Sequence, residues 1–132
     1  LIFVDTSFWI AIHLPRDPHH RDATEILRLH ANEELGTSNH VRGETWTYLR
    51  RKAGHGYGVA FLRRIEESRR LRVMFVNEEQ ERESLRWLAG HDEREYSFVD
   101  ATSFILMRSR GIREAFAFDG DFAAAGFVEL RP

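Results

Sequence analysis

Four carboxylates of this 132-residue chain stand where acids are costly unless they act together. Asp5 directly follows the apolar run of residues 1–4. Asp119 directly follows the apolar stretch that ends at Phe118, with Asp121 two residues on. Glu44 lies three residues after Val41 and four before Tyr48, and Asp100 lies four before Phe104 and seven before Met107. At those spacings each of the two shares a helix face with apolar neighbours, and a carboxylate on a core-facing stripe needs compensation. Taken singly, each acid has a plainer explanation. Asp5 and Asp119 suit helix N-caps beside a helix dipole, Ser97-x-x-Asp100 fits a capping box, and Glu44 can snorkel at the stripe's edge or pair with an arginine. One shared site explains all four at once. Acids gathered on one spot repel, and some take up protons unless a cation is present. Oxygen ligands without cysteine or a His-Glu-x-x-His spacing favour a hard divalent ion, Mg²⁺ or Mn²⁺. Such an ion keeps waters and takes phosphate oxygens, so the chemistry is phosphodiester hydrolysis by activated water.

The elements that must position these acids follow from the hydrophobic pattern. Residues 1–4 read as a strand buried on both faces. Thr6 and Ser7 offer caps to an apolar helix through Phe8, Trp9, Ile10 and Ile12, which Pro15 and Pro18 end. Helices are predicted over 19–34, 41–52, 59–70, 77–89 and 97–108, and strands over 71–76, 114–118 and 127–130, with a turn or short helix at 119–125. The glycines at 54, 56 and 58 read as a flexible interhelical turn, and 34–38 is compatible with a very short strand that the pattern alone does not demand. Strands alternating with helices predict an α/β fold: a three-layer α/β/α domain with a central parallel sheet of about four or five strands. Asp5 and Asp119 then fall at the carboxyl edge of the sheet, where such folds bind ligands. The length suits one domain over 1–132.

Composition narrows the function classes. The 19 Lys+Arg against 21 Asp+Glu give −2, so bulk charge makes no case for nucleic acid. The distribution is uneven: nine cations stand against three acids over 41–73, and eight acids against three arginines over 78–100. Either a pair of solvated helix faces or a phosphate-tracking surface accounts for this. The absence of cysteine removes disulfides, thiolate metal sites and thiol nucleophiles, and with no signal peptide suits a reducing compartment. The sequence begins at Leu1 rather than methionine, which leaves room for residues upstream. No run approaches the roughly 18 apolar residues of a membrane span. Trp9, Trp46 and Trp87 sit at helical apolar spacing, which favours packing over base stacking.

Four blocks together resemble the PIN domains, and more narrowly the VapC toxins of bacterial toxin–antitoxin pairs. They are Val4-Asp5-Thr6-Ser7; Thr37-Ser38-Asn39-His40-Val41 leading to Glu44-Thr45; Ser97-Phe98-Val99-Asp100-Ala101-Thr102; and Ala117-Phe118-Asp119-Gly120-Asp121-Phe122. The resemblance spans almost the whole chain, in order. It implies a metal-dependent endoribonuclease, toxin of a VapB-like antitoxin, with Asp5, Glu44, Asp100 and Asp119 as its acids, acting on RNA in the cytoplasm as a homodimer. Asp121 and Thr6 are expected as auxiliaries. One departure is Ala117, where a hydroxyl residue often stands two before the fourth acid. The region 48–70, with aromatic and aliphatic residues among arginines, is the expected docking surface for the antitoxin. Two other readings compete: a receiver-like Mg²⁺-binding signalling module, and a PIN-type RNA-processing nuclease that is not a toxin. A receiver needs a lysine after a late strand, but the only lysine is Lys52. A haloacid-dehalogenase-like phosphatase needs a second acid two after Asp5, where Ser7 stands.

Overall fold

The computed structural model describes residues Leu1–Pro132. Its elements run β1 (Ile2–Val4), α1 (Thr6–His13), α2 (His20–Leu29), β2 (Leu35–Ser38), α3 (Asn39–Ala53), α4 (His55–Glu67), β3 (Leu71–Met74), α5 (Glu78–Ala89), α6 (Phe98–Ser109), β4 (Glu114–Phe116), α7 (Asp121–Ala124) and β5 (Val128–Glu129). The five strands form one sheet in the order β3-β2-β1-β4-β5, and every pairing is parallel. The chain walks outward from β1 through β2 to β3, then crosses back to β4 and β5. Right-handed crossovers put the helices of the two walks on opposite faces, which gives the expected three-layer α/β/α architecture. The walk reverses between β1 and β4, and ligands of open parallel sheets bind beyond the carboxyl ends of strands at such a reversal. Asp5 follows β1 there, and Asp119 lies beyond β4.

Several boundaries differ from the pattern. The helix expected over 19–34 ends at Leu29, because Glu34 already serves the sheet: its carbonyl accepts from Ile2 N at 3.0 Å. The segment after it is the fully buried strand β2. Its Leu-Gly-Thr-Ser sequence carries little strand signal; a Cβ at Gly36 would lie 2.8 Å from the tips of the Leu1 and Met74 side chains, which would have to shift. The glycine run is no extended turn. Gly54 alone breaks the helix, at φ +104°, while Gly56 and Gly58 lie inside α4, and a Cβ on Gly58 would meet the Trp46 ring at 2.7 Å. β4 stops at Phe116 rather than 118, leaving two residues before Asp119. The capping box expected at Ser97 is present, with Asp100 at its third position.

A cluster of 22 buried hydrophobics, including Phe8, Phe104, Phe116 and Phe122, fills the space between sheet and helices. Burying a ring of that size contributes about 1.5–3 kcal/mol. Trp9 is buried in it and Trp87 packs against it, as helical spacing predicted. On α3 the buried positions are Val41, Thr45 and Leu49. That stripe is rotated from the one read off the sequence, so Glu44 is half-buried at its margin and Tyr48 is exposed. No helix is long and apolar enough to cross a membrane.

Candidate active site

Asp5 closes β1 and opens α1. Of the caps the sequence offered, Thr6, Ser7 and Asp5, the N-cap is Asp5: its Oδ2 accepts from Ser7 N at 3.1 Å and from Ser7 Oγ at 2.7 Å. The same Ser7 oxygen accepts from Phe118 N at 3.1 Å. One hydroxyl thus ties the acid after β1 to the backbone next to Asp119. Thr6, expected as the auxiliary hydroxyl, makes no such link; its Oγ1 is buried without a partner.

Asp100 arrives from the opposite helix layer. As third residue of α6 its Oδ2 accepts from Ser97 N at 2.9 Å, while its own N–H donates to Ser97 Oγ at 3.0 Å. The capping role and the site role therefore coexist in one side chain. Asp119 accepts from Asp121 N at 3.1 Å, in a turn whose Gly120 adopts φ +82°. Carboxylate oxygens of Asp100, Asp119 and Asp121 all lie within 4.8 Å of one another.

Charge and burial act on these acids in the direction their spacing demands. Burial pushes Asp5 up to about 8, helped by the charges of Asp119 and Asp100 against the opposing Ser7 hydrogen bonds. Burial likewise raises Asp100 to about 7, with the charges of Asp119 and Asp121 adding to it and the bonds from Ser97 opposing it. Asp119 keeps solvent-exposed surface, yet desolvation within the acid-lined cleft, then the charges of Asp121 and Glu129, raise it too. Of the two guanidiniums at this turn, Arg131 pairs with Glu129 and Arg94 pairs with Asp121. Arg94 Nε donates to Asp121 Oδ1 at 2.8 Å and its Nη2 to the Asp119 carbonyl at 3.2 Å. One cation against this many acids leaves the cluster short of positive charge, and an all-carboxylate donor set fits a hard divalent cation. The residues present fit such an ion.

Two expected acids stand outside this trio: Asp5, which feels the charges of Asp119 and Asp100, and Glu44, which stands further off. It lies on α3 and lines a groove of about 800 Å³ bordered by Phe98 and Val99, the residues just before Asp100. Ser7 and Arg94 are the residues that sequence reasoning missed. The Asp-x-Ser spacing could have revealed Ser7, since an Asp N-cap accepts from just such a position. Nothing local marks Arg94, which reaches the site only because the loop before α6 folds over Gly120. The missing hydroxyl at Ala117 finds its counterpart in Ser7, which supports the neighbouring Phe118 N–H.

A strand-order reversal with aspartates at both strand ends, a third on a facing helix and one arginine over the acidic turn is the architecture of a metal-dependent nuclease domain. The family profile for the PIN domain matches residues 2–128, and the chain belongs to that family. Among curated proteins it is 54% identical over 134 residues to the 23S rRNA-specific endonuclease VapC20 of Mycobacterium tuberculosis, in strains CDC 1551 / Oshkosh and H37Rv, covering 100% of this chain and 99% of the relative. A crystal structure described as Mycobacterium tuberculosis VapC20, a sarcin-ricin loop cleaving toxin, superposes with a TM-score of 0.93 at 52% identity, covering 100% of both chains.

Proposed function

We propose that this chain is the toxin of a VapBC-type toxin–antitoxin pair, a metal-dependent endoribonuclease that cuts 23S ribosomal RNA in the sarcin–ricin loop. The observation that carries the reading is the cluster of Asp100, Asp119 and Asp121 oxygens within 4.8 Å, with Asp5 feeling the charges of Asp119 and Asp100, in a chain 54% identical end to end to a VapC20 endonuclease. Residues 1–132 act as one unit. Asp5, Asp100 and Asp119 hold Mg²⁺, for which Mn²⁺ can substitute. When bound, the ion supplies charge for the attacking water and for the departing oxygen. Ser7 fixes the Asp5 carboxylate, Glu44 orients the water or takes its proton, and Asp121, committed to Arg94, shapes the turn that carries Asp119. The receiver-like alternative has no support from this site, whose lone lysine, Lys52, stands on α3.

Because water rather than the RNA's own 2′-hydroxyl is the nucleophile, the products carry 5′-phosphate and 3′-hydroxyl ends. Purified protein incubated with ribosomes in Mg²⁺ should produce one new end in the sarcin–ricin loop, lost in excess EDTA. Cleavage that persists in EDTA, or that leaves 2′,3′-cyclic phosphate, removes the carboxylate mechanism. A ribosomal substrate places the protein in the cytoplasm.

The same reading gives two protein partners, a second copy and an antitoxin that covers the site. Tyr48, Tyr57 and Leu62 remain exposed on α3 and α4, which suits antitoxin docking there. Light scattering should report a dimer at micromolar concentration and a larger complex with the antitoxin. A monomer alone removes the dimer, and unchanged hydrogen exchange over 48–70 in the complex removes the docking surface.

A further inference from the structure

The groove that Glu44 lines runs along α3 and across the first turn of α6. Its walls hold two kinds of side chain that the acid cluster does not use. Tyr48 and Phe98 are large rings left 41% and 37% exposed, and the His40 ring lies 5.6 Å from that of Phe98. Arg51 and Lys52 line the same groove, and neither is among the ion pairs of the fold. The groove ends at Val99, the residue that adjoins Asp100 in α6, although none of the aspartates lines it. Exposed ring faces with free cations alongside match an unstacked base and its phosphate.

We infer that this groove is a nucleotide pocket that takes one unstacked base of the RNA beside the bond to be cut. Phe98 and Tyr48 offer the stacking faces. Arg51 and Lys52 meet the phosphate on the far side of that base. The backbone on that side is drawn outward toward the two cations. The pocket rests on the ribonuclease reading above and adds to it a recognition element: a loop that offers a base already splayed out enters, while a paired helix does not.

The test uses the full chain carrying Asp100→Asn, which binds without rapid cutting, and a sarcin–ricin hairpin RNA with 2-aminopurine placed singly at each nucleotide around the cleaved bond. One position should change its fluorescence on binding. Adding Phe98→Ala should erase that signal and weaken binding about tenfold, the loss of one base-stacking contact. Phe98→Trp should restore both. Arg51→Ala should lower the slope of log Kd against log salt by about one. Binding that survives Phe98→Ala with the same fluorescent position unchanged overturns the pocket. So does a change of oligomeric mass in Phe98→Ala, which would make the groove an interface between copies. Without Asp100→Asn, the two ideas separate. Protein that cuts the loop equally well with and without Phe98→Ala refutes the pocket alone. Protein that binds the hairpin through Phe98 but never cuts refutes the ribonuclease reading alone, and protein that does neither refutes both.

Discussion

Asp100→Asn should lose RNA cleavage by about 10²-fold or more, the scale of removing one strong transition-state contact, while its thermal midpoint rises. The exchange keeps the shape of the side chain. An asparagine oxygen still accepts from Ser97 N, the bond that closes the α6 capping box, so the helix start is preserved. What disappears is a negative charge held at 7% exposure among other acids, and its removal relieves repulsion from Asp119 and Asp121. Activity and stability should therefore move in opposite directions. Asp5→Asn should behave alike, since one amide oxygen can still accept from Ser7. Ser7→Ala supplies the contrast: every carboxylate stays, but Asp5 loses its 2.7 Å partner and Phe118 N–H loses its acceptor. Activity should fall by only about tenfold, and stability by about 1–2 kcal/mol, the usual loss for unmade buried hydrogen bonds. Single-turnover rates in Mg²⁺ and thermal melts in EDTA above about pH 8, on the three variants, decide it. An asparagine variant that cuts at near wild-type rate, or that melts several degrees lower, would show that the carboxylate was structural.

The contrast between Asp5 and Arg94 shows what a sequence can carry. Asp5, Asp100 and Asp119 were legible because each follows or sits on an apolar element, so its placement is set by its own segment. Asp100 shows the limit of choosing between explanations, since it both caps α6 and joins the acids. Glu44 was legible only by type. The stripe it was assigned to is rotated on α3, and the buried residues are Val41, Thr45 and Leu49, because contact with neighbouring elements, rather than apolarity alone, selects the inward face. β2 was nearly silent because its strand character lies in parallel pairing with β1 and β3 on both sides and in the Thr37 hydroxyl donating to the Val4 carbonyl at 2.9 Å, neither of which has a period. Arg94 was silent altogether: its meaning arises from a pairing across 27 residues of chain.

Stability without divalent ions should fall as pH rises from about 4 to about 8, and Mg²⁺ should reverse the fall. Asp5 is pushed to about 8 and Asp100 to about 7 in the folded protein, against an ordinary value of 3.8 for both. Between those limits the folded state holds protons that the unfolded chain has released. The folded state then binds more protons than the unfolded one, so the slope of unfolding free energy with pH is negative. Below about 4 both states are protonated and the penalty is absent; above about 8 both are ionised and it is complete. Other carboxylates, whose ion pairs stabilise the fold as they ionise, pull the opposite way at the acid end. The clean readout is therefore the difference between wild type and Asp5→Asn, measured in EDTA. That difference should move against wild type across the window. A divalent ion takes the place of the protons, so it binds weakly at pH 5 and well at pH 8. A ligand at 100 times its Kd adds about 2.7 kcal/mol, which in a domain of this size raises the midpoint by several degrees. Thermal melts with and without Mg²⁺ across this pH range test both halves. A wild-type-minus-variant difference that stays flat means that Asp5 does not hold its proton. Equal stabilisation by Mg²⁺ at pH 5 and pH 8 means that the ion binds somewhere other than these aspartates.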